Sequence, residues 1–165
     1  MDFSYYFCSE FTYKTFLPMA AQIGDKILYD GQIHSLASEP LSPYLYTNKI
    51  EKLFPEISST YYRGYCATWK IENKNIYLLN IESPNSIKGE NADGVDEPIS
   101  AMNKLFSGQT EVFAHWVNGK IKIQSGEVLE FVNTGYESVY EKDIFLKFEN
   151  GVLVDEKVVL NAPTE

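Results

Sequence analysis

Residues 111–132 read EVFAHWVNGKIKIQSGEVLEFV, and the fold class follows from how they are parsed. Three runs of alternating hydrophobicity, EVFAHWV, KIKIQ and VLEFV, are separated by Asn118-Gly119 and by Ser125-Gly126-Glu127. Asn-Gly is a strong hairpin signal, because a type I′ turn needs positive φ at both central residues. The second separator fits a three-residue loop with Gly126 in the left-handed conformation. The spacing therefore predicts a three-strand meander. Its first pair sets Trp116 opposite Ile121, His115 opposite Lys122 and Ala114 opposite Ile123. Its second sets Ile123 opposite Leu129, Lys122 opposite Glu130 and Ile121 opposite Phe131. One face would be apolar, with Val112, Ala114, Trp116, Ile121, Ile123, Leu129 and Phe131. The other would carry His115, Lys122 and Glu130 in a row, beside Phe113 and Val117.

Working outward, Asp30-Gly31 predicts a hairpin that joins KILY to QIHSL, with Tyr29 opposite Gln32, Leu28 opposite Ile33 and Ile27 opposite His34. A turn around Glu72-Asn73-Lys74 joins two further strands, with Trp69 opposite Ile76 and Ala67 opposite Leu78. Ala67-Thr68-Trp69 resembles Ala114-His115-Trp116, which is either an internal repeat or a shared preference of half-buried hairpins. Asn150-Gly151 turns a last hairpin in DIFLKFENGVLVDEKVVL. The aromatic residues 1–23 suggest a strand or two. One short helix is expected in TNKIEKLFP, capped by Thr47 or Asn48, stopped by Pro55, with Ile50, Leu53 and Phe54 on one face. After a polar loop at 83–96, a second is expected with Asp96 or Glu97 as cap, Pro98 in the first turn, Ile99, Met102 and Phe106 as its stripe, and Gly108 at its end. The tally is roughly nine or ten strands and two short helices. It describes a single mainly β domain over residues 1–165: one antiparallel sheet, barrel-like or strongly curved, with a β-sandwich as the alternative.

A formal net charge of -9 repels nucleic-acid backbones and anionic membranes, and suits a basic protein partner. Cys8 and Cys66 form no disulfide framework, and the N-terminus MDFSYYFCSEF lacks the basic n-region and apolar core of a signal peptide. No apolar run reaches the length of a membrane helix. The chain is therefore expected to be cytoplasmic. G-x-S-x-G, H-E-x-x-H, C-x-x-C, the P-loop and G-x-G-x-x-G are all missing from the sequence. The oxygen-rich Glu90–Asp96 loop lacks calcium-loop spacing, and nothing calls for a metal or cofactor.

Three groups of polar residues remain. His115, Lys122 and Glu130 could hold a histidine acid–base group if their face lines a cavity; otherwise they form a solvated face. Tyr136, Glu137, Tyr140 and Glu141 have the i, i+4 spacing that puts like residues on one side, either as partner anchors with acidic rims or as a polar loop with its tyrosines over the core. Arg63 could bind an anion, stack on Tyr62 or Tyr65, or cover an aromatic strand.

The segments RGYCATWKIENKNIYLLNI, VFAHWVNGKIKIQSGEVLEF and GYESVYEKD resemble a family of small bacterial proteins, a domain of unknown function. The resemblance implies a bacterial cytosolic origin and no mechanism. The function expected from the residues is non-enzymatic binding, of the immunity or inhibitor type, masking a basic protein partner. The alternative is a small-molecule or enzymatic site in the curved sheet that uses His115, Lys122 and Glu130, with Arg63 as anion anchor.

Overall fold

The computed structural model describes residues 22–56, 58, 62–83 and 99–163. Among them the fold is mainly β. Nine strands form one mixed sheet: β1 Asp25–Tyr29, β2 Gln32–Leu36, β3 Cys66–Glu72, β4 Asn75–Ser83, β5 Ile99–Ser100, β6 Val112–Phe113, β7 Gly119–Glu130, β8 Val139–Glu149 and β9 Val152–Leu160. The sheet order is β3-β1-β2-β7-β8-β9-β4-β5, with β6 on β4, and β3 also pairs β4, so the path returns on itself. The expected all-antiparallel sheet is corrected at one place: β1 lies parallel to β3, with Ile27 beside Trp69. Two links in the path are thin. β2 meets β7 at two residue pairs, and β9 meets β4 only at Val152 and Asn75.

Three tight turns have positive φ at both central residues: Asp30-Gly31, Asn73-Lys74 and Asn150-Gly151. The β1–β2 register is the expected one at all three pairs named from the sequence. In β3–β4 the loop is the two residues Asn73-Lys74, so Trp69 faces Leu78 and Ile71 faces Ile76, and a bulge beyond Thr68 sets Ala67 opposite Ile81. Trp69 thus sits two residues from its expected partner. A slip of two keeps every side chain on its face, and Trp69 is fully buried.

The meander does not form. β6 pairs Tyr77 and Leu78 of β4, and the chain turns at His115-Trp116 before Gly119 opens β7. Ser125-Gly126-Glu127 lies inside β7, which runs on as one ladder with β8 through register shifts at Val128 and Glu130. A G1-type bulge and a three-residue hairpin both need a left-handed glycine, so Gly126, at φ +85, serves either. The long-range partner wins because β8 sets Leu146 against Ile121 and Ile144 against Ile123, all four buried. The resemblance between residues 67–69 and 114–116 is likewise not a structural repeat: the first triplet is strand, and the second runs into a turn.

The first helix, α1, is Ser42–Thr47, earlier than expected, with Pro43 in its opening turn where a missing N–H costs nothing. Residues 51–53 make only a 3₁₀ turn. The second, α2, is Met102–Leu105, so Ile99 belongs to β5 and not to its stripe. The expected caps Asp96 and Glu97, Pro98 and the strands expected within residues 1–21 fall outside the described residues. Trp116 gathers both helices. Its ring stacks on Phe106 of the α2 end and lies 4.5 Å from Tyr44 of α1, and its indole N–H donates to Pro40 O at 2.8 Å.

Lys74 occupies the left-handed region at φ +64, which costs a side-chain-bearing residue about 1 kcal/mol. Lys74→Gly should therefore raise the unfolding free energy by roughly 0.5–1 kcal/mol in urea titration, because the relief outweighs the added chain entropy of glycine.

Candidate functional site

The best-connected polar group is the Asp25 carboxylate at the start of β1. One oxygen accepts from Arg63 Nη1 and from the Ala67 backbone N–H, each at 2.9 Å, and the other accepts from Trp69 Nε1 at 2.9 Å. Arg63 also donates to Ile23 O at 2.9 Å, approaches Glu39 at 3.5 Å, and lies 4.8 Å from the Tyr65 ring centroid. Burial raises the Asp25 pKa, with Arg63 and then the two N–H donors pulling the other way. Burial also opposes the Arg63 charge, but Asp25, followed by Tyr136, Tyr65 and Glu39, raises its pKa well above the ordinary value. Only 8% of the Arg63 side chain is exposed. Its guanidinium is held by these groups as a structural clamp, whereas the alternative reading as an anion anchor would need it free.

The row of His115, Lys122 and Glu130 is not assembled. It required three strands, but Lys122 and Glu130 share β7, eight residues and on the order of 25 Å apart. His115 is exposed in the turn before β7, edge-on to Trp116. Lys122 Nζ pairs instead with Asp143 Oδ2 at 3.3 Å, and Phe145 is its cross-strand neighbour.

Tyr136 and Tyr140 are buried, while Glu137 and Glu141 are exposed. Tyr140 lies on β8 opposite Val128, and Tyr136 is in the turn before it. The tyrosines therefore offer no anchor surface. Glu141 Oε2 accepts from the Glu127 N–H at 3.0 Å across the Gly126 bulge. A Cβ at Gly126 would collide with that carboxylate, so bulge and glutamate depend on each other.

Sequence reasoning missed a buried group on β7–β8. Gln124 faces Asp143 across the ladder, and Gln124 Nε2 donates to Ser138 O at 2.9 Å. Asn161 Nδ2 donates to Asp143 Oδ2 at 3.1 Å and to Tyr140 O at 2.8 Å. Gln124 Oε1 and Asp143 Oδ1 are buried without a hydrogen-bond partner among the described residues. A polar residue amid alternating Ile121 and Ile123 is the only sequence signal for it. A depression of about 180 Å³ reaches Gln124, Ser125, Tyr140, His34 and Asp25, but not His115. Burial lowers the His34 pKa. Among the described residues, no group of three His, Cys, Asp or Glu side chains is placed to hold a metal, and no helix is long and apolar enough to cross a membrane.

The surface feature that stands out is β9. It pairs β8 along its whole length. On its other edge, the described residues pair only at the start: Val152 beside Asn75, and the Leu153 N–H donating to Lys74 O at 2.7 Å. Beyond that point Val154 is 48% exposed, Val158 49% and Leu160 78%. The Tyr29 hydroxyl donates to Glu156 from across the sheet path. A long edge with exposed apolar side chains is a template for strand addition.

Comparison with protein-family models, with curated proteins and with solved structures gives no match. The geometry alone carries the reading of the site.

Two outcomes test the Asp25 centre. Asp25→Asn leaves the buried Arg63 with only the longer Glu39 contact as counter-charge and should lower the unfolding free energy by roughly 3 kcal/mol. Adding Arg63→Met should recover part of that loss, as urea titration of the single and double variants would show. Cys66 donates to Gly24 O at 3.2 Å, and burial pushes its thiol up to about 12. In a Cys8→Ser chain at pH 8, a thiol reagent should modify the native protein on the order of a thousandfold more slowly than the urea-unfolded chain.

Proposed function

We propose that this chain is a non-enzymatic protein-binding domain of a bacterial cytoplasm, and that it docks through the open edge of β9. The observation that carries the reading is the stretch 154–160, which among the described residues pairs no strand but β8 and leaves Val154, Val158 and Leu160 exposed, its Glu156 N–H turned to Asp155 Oδ1 at 3.0 Å. Such an edge offers backbone donors and acceptors for a partner strand, and alternate side chains for specificity. The remaining surface fits the same class. Arg63 is engaged by Asp25, and Lys122 pairs with Asp143 away from the exposed His115, so the residues of the alternative site are not brought together. The net charge of -9 favours a basic protein over nucleic acid or an anionic membrane. The acidic masking role thus belongs to the surface as a whole, not to Tyr136 and Tyr140, which are buried.

Lysine on an exposed edge blocks strand addition. Val158→Lys with Leu160→Lys should leave the circular dichroism spectrum unchanged. Affinity capture from the native host lysate should then lose, by tenfold or more, the protein retained by the unaltered chain. Equal retention by both chains would overturn the reading.

A further inference from the structure

We propose that the strand completing the β9 edge is β9 of a second copy, antiparallel about a two-fold axis through Glu156. The inference rests on reading that edge as the docking surface; it assigns the edge to a second copy and leaves the acidic remainder of the surface for a basic protein.

β9 reads VLVDEKVVL. Folded about its central Glu156, it is complementary to itself. Val154 falls opposite Val158 of the second copy, and Asp155 opposite Lys157 of the second copy. The two-fold repeats each pair, so two apolar contacts and two opposite-charge pairs form from one strand. Outside them, Val159 and Leu160 would lie beside Leu153 and Val152 of the second copy. The ladder stops short of them, because Val152 is already paired with Asn75 and the Leu153 N–H donates to Lys74 O.

The faces agree with this register. On the β8 side Asp155 is opposite Lys147 and Lys157 opposite Phe145, which puts both on one face; Glu156 and Val158 lie opposite Leu146 and Ile144 on the other. The register shift between Lys147 and Phe148 makes Val154 the extra residue, so alternation is regular from Asp155 onward, with the bulged Val154 at the end of the five-residue ladder. Cross-strand apolar and opposite-charge pairs stabilise such a ladder, and like charges oppose it. One like-charge contact remains, Glu156 on Glu156 at the axis. Each of these carboxylates already accepts the Tyr29 hydroxyl of its own chain, which draws its charge aside. Repulsion between two acidic chains is screened beyond about 8 Å at physiological salt.

A charged residue and a bulge are also devices that protect an edge from pairing. The two accounts differ in what a charge reversal does. If Lys157 only blocks the edge, replacing it should promote association. If it pairs with Asp155 of the second copy, replacing it should weaken association, and the matching reversal should restore it.

The test is light scattering of the full chain after gel filtration, from micromolar to millimolar concentration. The unaltered chain should dimerise. Asp155→Lys alone and Lys157→Asp alone should each weaken the dimer about tenfold or more, because two attractive pairs become repulsive. An equimolar mixture of these two variants should dimerise again, since both cross-pairs are then Lys–Asp. Independently, Glu156→Cys in a Cys8→Ser chain should oxidise to a covalent dimer, because residues facing each other across an antiparallel axis lie about 4.5–5.5 Å apart at Cα, within disulfide range. Lys120→Cys on β7 should not.

A dimer whose strength is unchanged by either reversal overturns the register. An unaltered chain that stays monomeric overturns the second copy as occupant. If the lysine-blocked edge then still loses its captured protein, the docking edge itself stands. A monomer whose β9 amides exchange slowly, with capture indifferent to the edge, would mean that this chain covers the edge itself, and both readings fall.

Discussion

The Asp25 carboxylate is the constraint on which the sheet path depends. β1 runs parallel to β3, and parallel neighbours cannot be joined by a tight turn. Some long-range interaction has to set their stagger. Asp25 does so by accepting from Ala67 and Trp69 on β3 and from Arg63 just before it. The cost of burying a charge is offset only when the partners are in place. The network is therefore sensitive to geometry, and it holds Trp69 against the core beside Ile27.

A second set of tethers brings the far end of the path together. The Gly151 N–H donates to Val117 O at 2.9 Å, the Ile76 N–H to Gly151 O at 3.0 Å, and the Ala114 N–H to Ile76 O at 3.0 Å. Three segments distant in sequence thus share backbone bonds at one corner. A Cβ on Gly151 would lie 2.6 Å from Ala114 O, so the glycine that forms the turn also permits the close approach. The tethers engage only the first residues of β9. Among the described residues the rest of the strand pairs β8 alone, with Tyr29 reaching only the Glu156 carboxylate, and Val154 and Val158 are exposed. The docking surface is in this sense a consequence of where the closure stops.

Much of the local structure was legible in the sequence. Asp30-Gly31 and Asn150-Gly151 mark their hairpins, and the β1–β2 register follows from the first without adjustment. The β3–β4 turn was placed within a residue or two, and its slip in register left the buried face intact. The central meander was not legible, for a specific reason. Gly126 can make a turn or a bulge with the same backbone angles, and the chain turns at His115-Trp116, so that Asn118-Gly119 leads into β7 and makes no hairpin of its own. The candidate site failed with it, since the alignment of His115, Lys122 and Glu130 existed only in that register. Tyr136 and Tyr140 are both buried, as in the reading that lays them over the core, although one lies in a turn and the other in a strand.

Local chemistry in the sequence determined the mainly β class, the residues that turn left-handed, and the alternation that separates the faces of each strand. These are properties of a few adjacent residues and need no partner. Tertiary structure decided which strands are neighbours, that Arg63 faces a carboxylate and not solvent, and that among the described residues β9 beyond Leu153 pairs β8 alone. Those outcomes depend on competition between distant segments for the same backbone groups and the same core. Ile121 and Ile123 could have packed on Trp116 nearby, and they pack across from Leu146 and Ile144 instead, where the longer ladder satisfies more donors and buries more apolar surface.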